Sequence, residues 1–213
     1  IGSISFPLFF LPTLGLLKTA LATGILNILS VFIILHKMKK NPVKTRYMTL
    51  SLIVSGLLIM TFFQAKPLGA YLEQALFKDK IIISAQTPYQ KITVTKYNKD
   101  LRLFLDGNLQ FSALDEYRYH EALVHIPATI CPKLENVLLL GGGDGLAARE
   151  LLKYRTIQTI TIVDLDKILT NLFQTNPELI KINQNSLNNP KVKVINTDAL
   201  EYIRKDSGFY DLI

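Results

Sequence analysis

Seventeen residues from Asn136 to Leu152, NVLLLGGGDGLAARELL, leave little choice of local structure. Val137–Leu140 is a short apolar run with the length of a fully buried strand. Gly141–Gly142–Gly143–Asp144–Gly145 breaks it, and the Ala/Leu/Arg/Glu run after the glycines favours helix. Strand, glycine turn and helix open a nucleotide-binding βα unit. The glycines permit a tight turn and close backbone approach, and a helix N-terminus attracts oxygen acceptors. Gly141 and Gly143 are therefore the candidate backbone contacts to a cofactor.

The chain beyond the turn alternates in the same sense. Thr159–Val163 reads as strand, Asp166–Phe173 as helix, Val192–Asn196 as strand, Asp198–Arg204 as helix and Phe209–Ile213 as strand. A polar stretch with Pro177 and Asn188–Asn189–Pro190 interrupts the series. Strands alternating with helices imply a mostly parallel α/β sheet. Asp164 ends the second strand, about 20 residues past the glycines, where a carboxylate can accept both ribose hydroxyls. Asp198 comes after the third strand, where it can accept from an adenine amino group. Each of the two acids also precedes a helix, so each has an N-cap as its purely structural reading. Asp144 differs from both. An acid inside the glycine turn would repel a pyrophosphate and suits a cationic ligand, a sulfonium or an amine.

Ahead of this region lie four short β-rich runs, Ile81–Ala85, Tyr89–Lys96, Leu101–Leu105 and Leu109–Phe111, with turns at Asn98–Asp100 and Asp106–Asn108. About 30 residues of antiparallel sheet cannot sustain a core alone and are expected to pack on the α/β region. Ser112-x-x-Asp115 resembles a capping box, and a helix is expected from Leu114 to Ile126, ending before Pro127. Its His120 and His125 are five apart, about 140° around a helix, which rejects the zinc-helix spacing of four.

The first third is different in kind. Leu14–Leu35 and Tyr47–Ala65 are each long enough to cross about 30 Å of hydrocarbon, and Lys18 is their one charge. Two transmembrane helices are expected, with Ile4–Leu11 as the tail of a third. A short amphipathic helix between Lys66 and Lys80 leads out of them. The net charge of +7 sits here: residues 1–79 hold eight Lys/Arg against two Asp/Glu, the remainder sixteen against fifteen. Such placement indicates membrane-flanking charge and a lipid-bilayer partner, and no nucleic-acid-binding face. Five Lys/Arg in His36–Arg46 would put that loop in the cytoplasm and, one crossing later, the C-terminal region outside. The single Cys131 excludes an intrachain disulfide and is read as a small buried hydrophobe. The chain begins at Ile1 and ends at Ile213 in an apolar run, so a fragment truncated at the C-terminus is the expectation.

TPYQKITV (Thr87–Val94), LFLDGNLQFSALDEYRYHEALVH (Leu103–His125), VLLLGGGDGLAARELL (Val137–Leu152), VDLD at Asp164 and NTDALEY (Asn196–Tyr202) together resemble the spermidine synthases, polyamine aminopropyltransferases, in their membrane-anchored bacterial branch. The resemblance spans roughly residues 81–213, and more loosely the apolar part. It implies an α/β Rossmann-like domain of the class I methyltransferase type, preceded by a small antiparallel β domain and N-terminal transmembrane helices. The implied divisions are 1–65 membrane helices, 66–80 amphipathic linker, 81–112 β domain and 113–213 catalytic domain, incomplete at its end. The implied co-substrate is decarboxylated S-adenosylmethionine, with no metal, and the acceptor is a diamine such as putrescine. Gln90, Asp164, Asp198 and Ala199 would join Gly141 and Gly143 on the cofactor; Tyr119, His120 and Asp144 would line the amine site. The implied catalytic base is an aspartate past Tyr210–Asp211–Leu212–Ile213, so this stretch alone would turn over little or nothing.

Asp164 stands where soluble members commonly have Glu, and Leu146 where they often have Gly. A cytosolic co-substrate places the catalytic region in the cytoplasm, against the charge count, in a multi-pass protein of the cell membrane. A homo-oligomer is compatible with the sequence. The alternatives are a methyltransferase of the same fold using S-adenosylmethionine, and a membrane protein that binds polyamine without chemistry.

Overall fold

The computed structural model describes residues 10–39, 42–205 and 208–213. The chain divides into two units, Ile1–Lys78 and Asp79–Ile213. The expected third span at Ile4–Leu11 lies, apart from Phe10 and Leu11, outside the described residues.

In the first unit, helix α1 covers Leu11–Lys37, α2 Pro42–Phe63 and α3 Ala65–Leu76. Gly15 interrupts α1 with φ 76° and ψ 168°, leaving Leu17–Lys37 as an unbroken apolar stretch. That stretch and α2 are both long and apolar enough to cross a membrane. The second helix starts earlier than Tyr47 because Pro42 is suited to a first helical turn, so it takes in the basic Lys44 and Arg46. Hydroxyls along both helices turn back on the backbone: Thr23 Oγ1 donates to Thr19 O at 2.9 Å and Ser55 Oγ to Ser51 O at 2.7 Å. Such bonds satisfy polar groups without water. Gly24 lets α2 approach α1, with Leu58 Cδ1 at 3.3 Å from where a Cβ would stand. The Lys18 ammonium lies 5.5 Å from the Phe62 ring centre.

The second unit combines two sheets. Strands β1 (Lys80–Gln86), β2 (Lys91–Tyr97), β3 (Asp100–Leu105) and β4 (Asn108–Ser112) form an antiparallel sheet in sequential order. Asp106 and Gly107 join β3 to β4 with φ of 49° and 80°, the doubly left-handed turn that a two-residue hairpin needs. Strand β2 is shorter at its start than expected because Tyr89 and Gln90 belong to the β1–β2 turn. Helix α4 spans Glu116–Ile130, and after it come β5 (Asn136–Leu140), α5 (Leu146–Leu151), β6 (Thr159–Asp164), α6 (Lys167–Thr175), α7 (Pro177–Asn183), a 3-10 turn at Ser186–Asn188, β7 (Val192–Asn196) and α8 (Ala199–Lys205). Strands β5, β6 and β7 run parallel in that order, and Leu212 bridges Val137 of β5 from the other side, also parallel. The strand order therefore reverses at β5, the switch point at which doubly wound sheets open a ligand crevice. One core joins the two sheets: Ile92, Val94, Leu103 and Phe111 from the antiparallel sheet with Leu146, Ile160 and Phe173. Phe111 and Phe173 meet edge to face at 6.1 Å.

Five expectations need correction. Helix α4 continues through Pro127 to Ile130, because the buried stripe His120–Val124–Ala128 runs on across the proline and Cys131 N–H closes the end on Pro127 O at 3.1 Å. No capping box forms: the Ser112 hydroxyl is turned to Asp100 at 2.7 Å, and the N-cap Asp115 makes no side-chain cap bond. The polar stretch after α6 is not loop but α7, capped by Asn176 with Pro177 behind it. Phe209–Ile213 is not a full strand, pairing only around Leu212 through Leu138 N–H to Leu212 O and Asp211 N–H to Asn136 O. Cys131 is half-buried, its thiol 2.8 Å from Lys133 O.

Candidate active site

The glycine turn lies at the carboxyl end of β5, at the switch point, and is shaped by contacts from three elements. Gly143 N–H donates to Asp164 Oδ2 at 2.9 Å, while Asp164 Oδ1 accepts Asp166 N–H at 2.9 Å. A Cβ on Gly143 would stand 2.7 Å from Asp164 Oδ2, so only glycine allows this approach. Behind the turn, the buried Asn183 of α7 donates from Nδ2 to Asp144 O and to Phe173 O, each at 3.0 Å. Ser186 Oγ donates to Gly145 O at 2.6 Å.

A cavity of about 610 Å³ opens beside the turn. Tyr119, His120 and Asp144 line it together, with Gly141, Gln110 and Leu212. The side chains expected at an amine site are thus brought together, across helix α4 and the turn. Asp144 Oδ1 accepts Leu146 N–H at 2.9 Å. The carboxyl keeps some open surface, yet protein atoms crowd it on most sides. Burial pushes its pKa above the ordinary carboxylate value, and the nearby Asp164 and Glu116 charges push the same way against the Leu146 N–H and His120. Tyr119 is 65% exposed at the rim, its ring set edge-on against His120 at 5.1 Å. His120 itself is buried, with Nδ1 2.9 Å from both Glu116 O and Glu116 Oε2. Its neighbour His125 faces elsewhere, to Tyr154 Oη at 2.8 Å and Glu150 Oε2 at 3.1 Å.

The residues expected on a cofactor are distributed differently. Gly141 lines the cavity, whereas Gly143, Gln90, Asp164, Asp198 and Ala199 do not. Gln90 Nε2 donates to Asp166 Oδ2 at 3.0 Å, and Thr87 Oγ1 donates to the same oxygen at 2.8 Å. Asp164 is no helix cap; it clasps the glycine turn, and the cap of α6 is Asp166, which accepts Ile168 N–H at 3.0 Å. Asp198 does cap its helix, accepting Glu201 N–H at 2.9 Å from an exposed position. Ala199 comes next as the first residue of α8.

Sequence reasoning passed over Asp166, Gln110, Asn183 and the buried pair Glu116–Arg149. Asp166 has a sequence signal, an acid directly before a helical run; Asn176–Pro177–Glu178 would likewise have marked α7. The Glu116–Arg149 pair, bidentate at 2.8 and 3.0 Å across 33 residues, has none.

Residues 116–213 match the spermine/spermidine synthase domain. The polyamine aminopropyltransferase of Leptospira interrogans is 44% identical over the whole of this chain and 43% of its own length. That of Oceanobacillus iheyensis is 42% identical over the whole chain and 42% of its own length. The chain thus spans less than half the length of these curated relatives. Among solved structures, spermidine synthase from Thermotoga maritima superposes with a TM-score of 0.58 at 27% identity, over 62% of this chain and 45% of that one. A spermidine synthase in complex with the transition state analogue AdoDATO gives the same TM-score and identity, over 62% of this chain and 46% of that one. Residues 116–213 thus carry a spermine/spermidine synthase domain, and the chain as a whole is similar to part of the polyamine aminopropyltransferases.

Proposed function

We propose that the protein is a polyamine aminopropyltransferase that moves the aminopropyl group of decarboxylated S-adenosylmethionine onto a diamine such as putrescine. The observation that supports this most is the shared cavity at the switch point, where Asp144, His120 and Tyr119 converge. A dication needs carboxylate and lone-pair acceptors, and a cation also tolerates the crowded acid that a pyrophosphate would not. On this reading Asp144 holds an ammonium near the sulfonium, and His120 and Tyr119 orient the amine. Asp164 and Asp198 with Ala199 take the ribose and adenine, and Gln90, held on Asp166 by its amide nitrogen, offers Oε1 to the donor. Gly141 and Gly143 admit the donor to the turn.

The reaction is an in-line displacement. The lone pair of a neutral amine attacks the propyl carbon bonded to the sulfonium, and the C–S bond breaks with its electrons passing to sulfur. Methylthioadenosine leaves, and the new ammonium yields a proton to a base. Alignment of the two substrates supplies most of the rate.

The domain roles belong to the same proposal: 1–65 as membrane helices in a multi-pass protein, 66–80 as an amphipathic linker, 81–112 as the β domain and 113–213 as the catalytic domain, on the cytoplasmic side. The test is the purified full-length protein with labelled decarboxylated S-adenosylmethionine and a panel of amines. Labelled spermidine from putrescine is expected. Methyl transfer from S-adenosylmethionine, or amine binding without product, would overturn the assignment. A reporter fused after Ile213 tests the side of the membrane, and alkaline phosphatase activity in the periplasm would reverse it.

A further inference from the structure

A buried chain of side chains runs from the helix after the glycine turn to the cavity wall. Arg149 grips Glu116 by two parallel bonds, Nη1 to Oε1 at 2.8 Å and Nη2 to Oε2 at 3.0 Å. Arg149 is itself anchored, Nε to Glu150 Oε1 at 2.9 Å and Nη1 to Ile182 O at 2.8 Å. Glu116 Oε2 then meets His120 Nδ1 at 2.9 Å, and Glu116 O lies at the same distance from that nitrogen. A backbone carbonyl only accepts hydrogen bonds, as does a carboxylate, so Nδ1 must carry the hydrogen. In the neutral ring Nε2 is then a bare lone pair, and among the described residues it has no protein partner. The imidazole lines the cavity with Asp144 and Tyr119.

We propose that Glu116 is a positioning residue: held rigid by Arg149, it fixes His120 in the Nδ1–H tautomer so that Nε2 accepts a hydrogen bond from the amine substrate. The opposite tautomer would present an N–H to an ammonium, donor against donor. Bidentate clamping matters because a lone carboxylate on one turn of α4 has rotamers that would release the ring. The charged groups bearing on His120 are Glu116 on its own helix, Arg149 behind Glu116, and Asp144 across the cavity. This inference rests on the aminopropyl-transfer reading for the identity of the ligand, and not for the tautomer.

The test uses full-length protein labelled with ¹⁵N, with the His120 resonances assigned by their loss in His120→Gln. Wild-type His120 is expected to show a protonated Nδ1 and an unprotonated Nε2, with Nε2 moving when putrescine is added. Glu116→Gln is expected to mix the tautomers and to raise the diamine KM by about 10-fold or more, while the donor KM stays within about two-fold. A wild-type ring protonated on Nε2 would overturn the proposal, without need of any variant. So would a Glu116→Gln protein with unchanged tautomer and diamine KM, or with both KM values raised equally. If putrescine neither binds nor reacts with the wild type, the functional reading fails, and the tautomer measurement still decides the Glu116 inference.

Discussion

Gly143 and Asp164 hold each other in close contact: the glycine N–H donates to Oδ2 at 2.9 Å, where a methyl group would stand 2.7 Å from the same oxygen. The acid expected to read the ribose therefore also sets the shape of the turn, and the two functions cannot be altered separately.

Gly143→Ala consequently forces Asp164 and Thr170 aside, since the added carbon would also lie 2.8 Å from Thr170 Cγ2. The expected stability loss is about 1–3 kcal/mol, as for other overpacked sites. Donor affinity should fall at the same time. Calorimetric titration with methylthioadenosine beside a thermal melt checks both, and wild-type affinity in the variant would separate Asp164 from the donor.

Asp144→Asn should raise the diamine KM by about 10-fold or more through loss of a charged acceptor, while donor affinity changes little. The same change should stabilise the fold at neutral pH. Burial raises the folded-state pKa of Asp144 above its unfolded value. The folded state therefore binds more protons between those two values, and stability falls as pH rises through that window. Asparagine removes this cost, so the melting temperature should rise above the window and match the wild type below it. In the wild type, amine affinity should fall with acid at a higher pH than an ordinary carboxylate would give. A melt series and a pH profile of diamine KM test these together.

Asp166→Ala removes an N-cap and the acceptor shared by Thr87 and Gln90, for a loss of about 2–4 kcal/mol. Gln90→Ala, which removes one of those bonds, should cost about 1 kcal/mol. Urea denaturation distinguishes them, and equal losses would mean that the β1–β2 turn is anchored elsewhere.

Asp211 accepts the N–H groups of Asn136 at 2.8 Å and Glu135 at 3.0 Å. The Asn136 bond first, then the Glu135 bond, hold its pKa below the ordinary value against burial. Its contribution is present above the unfolded carboxylate value and is lost as pH falls through the folded one. Acid unfolding of Asp211→Asn should accordingly begin from a lower stability at neutral pH and lose less on the way down.

The architecture was legible wherever period and punctuation agree. Strands β5, β6 and β7, the glycine turn and the hairpin at Asp106–Gly107 each carry their own local signal. Tyr119, His120 and Asp144, expected at an amine site by their resemblance to known motifs, share one cavity. The features that escaped were written across distance. Nothing near Glu116 announces Arg149, and nothing in Asn183 announces the Asp144 carbonyl it serves. The proline at 127 misled for a related reason, because local chemistry says stop while the packed face of α4 says continue.

The stretch from Asn176 to Pro190 has the composition of a surface connection, the kind in which related proteins usually gain and lose residues. Here Asn183 and Ser186 are keyed into the carbonyls of Asp144 and Gly145. One residue inserted between α6 and Asn183 would slide both keys out of their locks. Its length is consequently held as tightly as the identity of any residue in the turn. Tags, permuted termini and grafted epitopes belong instead at the exposed Asn98–Lys99 hairpin, which no element of the site leans upon.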